Sequence, residues 1–229
     1  MKAMRSLSSS IKVYTGIILA LAILLAIMLV LKIDETIPVE QRSLLTVPAL
    51  LVLALSGLVG LYLSESTGFA GIWNETITIK HRFITSLLLG VTFGLGFLVL
   101  RLLQLLPNLD GPSFPASILY FLYGGISSEI IFRLFPIPLV VWLISNRLLG
   151  GKAQEPISWV AAVLSSLIEP LGQVGTMMLL GIDNRLGIAA TLILIFSANL
   201  VLARLFRKYD FVSCVVMRLT FYLVWHIVP

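Results

Sequence analysis

Long apolar stretches alternate with short polar ones along the whole chain. Windows of about 20 mostly apolar residues, the length a helix needs to cross hydrocarbon, recur at 13–31, 44–63, 84–106, 116–144, 157–180, 186–205 and 211–228. This pattern predicts an all-α fold, a polytopic transmembrane helical bundle of about seven spans. Breakers set the cuts: Pro107 with NLDGPSFP, GGKAQEP before the fifth span, and Gly181 to Gly187 before the sixth. The predicted organisation is a basic leader over 1–12, three N-terminal spans over 13–110 and a core of four spans over 111–229. The leader and first apolar run resemble a signal peptide. The run VYTGIILALAILLAIMLVL is too long for one, and no small-residue cleavage site follows before Lys32, so a retained first span is expected.

Composition agrees with the pattern. Hydrophobic residues are 59% of the 229 and charged residues 12%, whereas soluble domains carry about 25% charged residues. The lipid bilayer is therefore the expected partner, and no internal repeat or low-complexity segment is visible. With Cys214 as the only cysteine, no disulfide framework or cysteine-based metal cluster is possible.

The charges between spans also alternate. Lys2, Arg5, Lys12, Lys80, Arg82, Arg147, Lys152, Arg204, Arg207 and Lys208 fall on one side, against Lys32, Arg42 and Arg185 on the other. Basic residues accumulate on the cytoplasmic side, which predicts a multi-pass plasma-membrane protein with a cytoplasmic N-terminus and a C-terminus outside. These basic loops serve topology and contact with anionic lipid. No aromatic-interleaved basic patch points to nucleic acid.

A smaller set of charges falls inside the spans: Arg101, Arg133, Arg218, Glu129, Glu169 and His226. A charge in hydrocarbon is costly and is normally paired or functional. Arg101 lies close enough to Pro107 to snorkel to the interface. Glu129 and Arg133 stand at i and i+4, on one helix face and in the favourable order. In the fifth span Ser165 or Ser166, Glu169 and Gln173 share a face, and Pro170 frees the Ser166 carbonyl. The seventh span aligns Arg218, Tyr222, Trp225 and His226, so three helices are expected to meet at a polar centre.

The stretch YGGISSEIIFRLF and the order of these groups resemble the CPBP family, the CAAX-protease and bacteriocin-processing (Abi-type) intramembrane metalloproteases, over residues 115 to 228. That family carries EExxxR, then FxxxH, then a histidine followed four residues later by Asn or Asp. Here Glu129 and Arg133 match the first motif, with Ser128 at its first acid. Glu169 and Gln173 stand at the Phe and His positions, Arg218 and Tyr222 at the last pair. His226 matches a further histidine of some bacterial members. The resemblance implies that a glutamate activates water to attack a peptide or prenyl-peptide carbonyl, while histidine and asparagine hold the oxyanion.

The replacements work against that chemistry. Serine without an activating partner is no general base, and glutamine exchanges no proton. Cys214, His81 and His226 give no zinc ligand set, so no metal or cofactor is expected. The leading reading is a catalytically lapsed homologue, a pseudoenzyme whose protease centre has become a charge network and which acts as a scaffold, holding another membrane protein or a peptide segment. Two alternatives stay open. One is an active protease with relocated groups, Glu129 or Glu169 as base and Gln173 with Tyr222 as oxyanion donors; the other is a small-solute transporter using the buried charges as a relay.

Overall fold

The computed structural model describes residues 2–37, 39–105, 112–179 and 181–227. Among them there are helices and turns but no strands, and the all-α bundle is the observed architecture. In chain order come α1 (Lys2–Val30), α2 (Val47–Ser66), α3 (Ser86–Leu102), α4 (Ala116–Glu129), α5 (Pro136–Val141), α6 (Gln154–Leu179), α7 (Arg185–Lys208) and α8 (Phe211–Tyr222). Among the described residues six helical rods are long and apolar enough to cross a membrane, with α4, α5 and the turns around them forming one of them from Ala116 to Leu148. The seventh predicted span is the shorter apolar helix Phe211–His226. The breaker Pro107 and its neighbours through Gly111 lie outside the described residues.

One boundary differs substantially from the sequence pattern. The first helix starts at Lys2, so the polar leader continues the helix rather than preceding it. Periodicity of apolar residues marks where hydrocarbon contact begins. It does not mark where backbone hydrogen bonding begins.

Helix ends follow local chemistry. Thr46 accepts from the Ala49 N–H at the start of α2, Asn184 from the Gly187 N–H at the start of α7, and Asp210 from the Ser213 N–H at the start of α8. The long fourth rod is interrupted by a widened, π-helical turn at Ile130–Leu134, directly before Pro136 and Pro138. A proline removes the donor for the carbonyl four residues back. Pro136 thus frees the Phe132 carbonyl, and the Ser165 hydroxyl of α6 donates to it.

Two glycines bring α8 into place. A Cβ at Gly90 of α3 would stand 2.6 Å from the Met217 carbonyl oxygen, and one at Gly125 of α4 2.9 Å from Leu219 Cδ2. At Gly90 the neighbour is backbone and only glycine fits, whereas at Gly125 the leucine side chain could shift; together the two approaches set α8 between α3 and α4. The core beneath runs from Tyr14, Leu21 and Leu25 of α1 through Tyr123 and Ile130 to Leu202, Phe206 and Cys214. Leu19, Leu51, Leu88, Leu164 and Ile193 are all exposed outward, as lipid contact requires.

Contacts between connections show which helix ends lie together. Ser9 donates to Glu75 (2.8 Å), Asn146 to the Ser66 carbonyl (2.9 Å), Arg207 to the Thr67 carbonyl (2.8 Å), and the Phe211 N–H to the Gly71 carbonyl (3.1 Å). The basic connections grouped by sequence therefore gather at one end of the bundle. Arg82 departs from its expected surface role. It is 2% exposed and donates from Nε to Asp210, itself fully buried, at 2.7 Å. Its guanidinium also lies 3.5 Å from the Trp73 ring centroid and donates to the Asn74 carbonyl. An arginine near a span end is normally solvated; here the carboxylate capping α8 draws it inward.

Candidate functional site

Glu129 closes α4 and is fully buried, and Arg133 follows one turn later in the π-helical segment. Arg133 Nη1 donates to Glu129 Oε1 at 3.3 Å, the local pair that i, i+4 spacing predicts. The same carboxylate oxygen accepts from Arg218 Nε of α8 at 2.8 Å. Arg218 then reaches α6 with both remaining nitrogens, Nη1 to Glu169 Oε1 at 3.1 Å and Nη2 to Glu169 Oε2 at 2.9 Å. This is the bidentate fork that makes arginine–carboxylate pairs strong and geometrically specific.

A fourth helix completes the centre. Asn199 of α7, fully buried, accepts through Oδ1 from Arg218 Nη2 at 2.8 Å and from Arg133 Nη2. Its Nδ2 donates to the Ser166 carbonyl at 3.4 Å, the group Pro170 leaves without its helical donor. Two carboxylates and two guanidinia balance formally, and one amide orients both cations. Balance matters because an isolated charge in this medium costs several kcal/mol, and removing one partner of a buried pair costs about 3–5 kcal/mol.

The network is sealed on most sides. Glu129, Arg133 and Arg218 are at most 1% exposed, while the Glu169 side chain keeps 14%. Glu129 Oε2, Arg133 Nε and the Ser166 hydroxyl oxygen have no hydrogen-bond partner in the protein. Both oxygens of Glu169 and Oε1 of Glu129 are occupied by guanidinium donors. Only Glu129 Oε2 is left without a donor, and it is buried away from solvent.

The other predicted site residues sit around this centre or away from it. Ser128, half-buried, donates to the Gly125 carbonyl at 3.0 Å. The Tyr222 ring centroid lies 5.5 Å from the Arg218 guanidinium carbon, and its hydroxyl faces Ser128. Gln173, half-buried one turn beyond Glu169, joins none of the network's hydrogen bonds. His226 lies one turn beyond Tyr222, its ring centroid 5.6 Å from that of Tyr222, and is stacked on Phe121 (3.9 Å between ring centroids) and beside Trp225 (4.0 Å). Among the described residues no three histidine, cysteine, aspartate or glutamate side chains are grouped to hold a metal ion. Arg101 is exposed near the end of α3.

Sequence reasoning missed Asn199, although a lone amide inside FSANLVL was a readable signal in an apolar span. Comparison of the chain with protein-family models, curated proteins and solved structures finds no match to any of them.

Proposed function

We propose that the chain is a CPBP-like plasma-membrane protein, N-terminus in the cytoplasm, whose hydrolytic centre has been replaced by a fixed charge network and which holds a membrane segment without cutting it. The observation that carries this reading is the Arg218 guanidinium. It stands where the resembled family has a histidine, and its three nitrogens engage both Glu129 and Glu169. A carboxylate so engaged is an anchor for a cation rather than a proton acceptor poised over a carbonyl. The gathering of basic connections at one end of the bundle supports the orientation.

Gln173 supports the holding role, since a half-buried amide outside the network retains its donors and acceptor for a bound backbone. The alternative of hydrolysis with Glu169 as base has one observation in its favour, the 14% exposure of that side chain. The test is retention of single-span peptides by the full chain in liposomes. Peptides recovered at full length support the holding role. Retention of none removes that role, and recovery of cut peptides removes the whole reading.

A further inference from the structure

At the basic end of the bundle, α6 and α7 leave a shallow surface groove. Its floor is Phe69, Ile137, Ala162 and Ala203, and the two alanines keep side-chain volume out of it. Its rim is Trp159, Arg204 and Arg207. Trp159 is 41% exposed one turn inside the start of α6, the depth at which tryptophan meets the lipid headgroups.

The rim charges do not cancel. Arg207 is spent on structure: Nη1 donates to the Thr67 carbonyl at 2.8 Å, Nη2 to Glu155 at 2.9 Å, and the guanidinium covers Phe69. Arg204 is different. It is 49% exposed, lies 5.0 Å from the Trp159 ring centroid, and reaches Glu155 only at 3.6 Å. An exposed pair at that distance contributes little, and a stacked guanidinium keeps its N–H edge open to a planar acceptor. Two guanidinia and one carboxylate leave one positive charge on the rim.

We infer that this groove binds an anionic phospholipid headgroup, its phosphodiester on the Arg204 edge beside Trp159. A phosphodiester carries the single negative charge the rim lacks, and Trp159 stands at the depth of the headgroups. The inference is independent of whether the buried network cuts, holds or moves anything.

Native mass spectrometry of the purified full chain, titrated with phosphatidylglycerol or with phosphatidylcholine of the same acyl chains, tests it. One phosphatidylglycerol should be retained preferentially. Arg204→Gln should weaken retention about fivefold, the worth of one basic residue at a membrane surface. Glu155→Gln should strengthen it, because the competing carboxylate is gone. Arg147→Gln, at an exposed arginine of the same end stacked on Trp142 instead, should leave it unchanged. Equal loss in the Arg147 and Arg204 variants, weaker retention in the Glu155 variant, or displacement of the lipid by inorganic phosphate alone would overturn the site.

Discussion

Asn199 donates to the Ser166 carbonyl across the α6–α7 interface, taking up the acceptor that Pro170 leaves behind. The same solution appears at Pro136, where Ser165 takes up the Phe132 carbonyl. In lipid an unpaired carbonyl has no water to turn to, so a proline in a span requires such a neighbour. Asn199 uses its other end to orient Arg133 and Arg218, tying a backbone repair to the charge centre.

Asn199→Leu should therefore lower stability by about 1–3 kcal/mol, the cost of stranding buried polar groups. Pro170→Ala restores the missing N–H, so it should cost less in the Asn199→Leu background than in wild type. Thermal unfolding of the four proteins in detergent gives the coupling as a double-mutant cycle. Strict additivity would show that the amide and the proline are unrelated.

Within the network, the order of losses follows the number of partners. Arg218→Met strands two acids and should lose about 3–5 kcal/mol or the folded protein altogether. Arg133→Ala strands Glu129 only in part, since Arg218 still binds it, and should cost less. Glu129→Gln keeps size and an acceptor and should be the mildest. Expression level and thermal midpoint of the three variants check the order, and Arg133→Ala as stable as wild type would contradict burial of that pair.

The seven apolar windows and the local pair Glu129–Arg133 were legible because each is set by spacing within one helix. Contacts between helices were not. Pro170 announced a free Ser166 carbonyl, but nothing in the sequence said that Asn199, 33 residues on, would fill it. Arg82 and Asp210 are 128 residues apart, and each near a span end reads as an ordinary solvated charge. The helical spacing that grouped His226 with Tyr222 holds, the rings lying 5.6 Å apart, but the stacking of the imidazole on Phe121 is a contact between helices that the sequence did not show.

The second buried pair makes its own prediction. Asp210 accepts from Arg82, the Asn74 N–H, the Ser213 N–H and the Ser213 hydroxyl. Asp210→Ala removes all four bonds and strands Arg82, so a loss of about 3–5 kcal/mol is expected. Asp210→Asn retains an acceptor for the helix cap and should recover part of it. Thermal unfolding of both variants separates charge from capping, and equal losses would assign the effect to charge alone.

Close approach at α8 can be tested by adding a single methyl group. Gly90→Ala would place a Cβ against the Met217 carbonyl oxygen at 2.6 Å, one turn or less from Arg218. Overpacking of a tight contact typically costs about 1–3 kcal/mol. Gly172→Ala on α6, where a Cβ meets nothing within 4 Å, should be neutral or slightly stabilising. Melting curves for the pair check the contrast, and equal effects would mean α3 and α8 are not in this contact.

The central claim is that the Glu129–Arg218–Glu169 centre does not hydrolyse. It is tested most directly by incubating the purified full chain in liposomes with a peptide and prenyl-peptide library and scoring products by mass spectrometry. Wild type, Glu129→Gln and Glu169→Gln are compared side by side. The account predicts no product in wild type beyond that in the two variants. A product made by wild type and absent from either glutamine variant would contradict it.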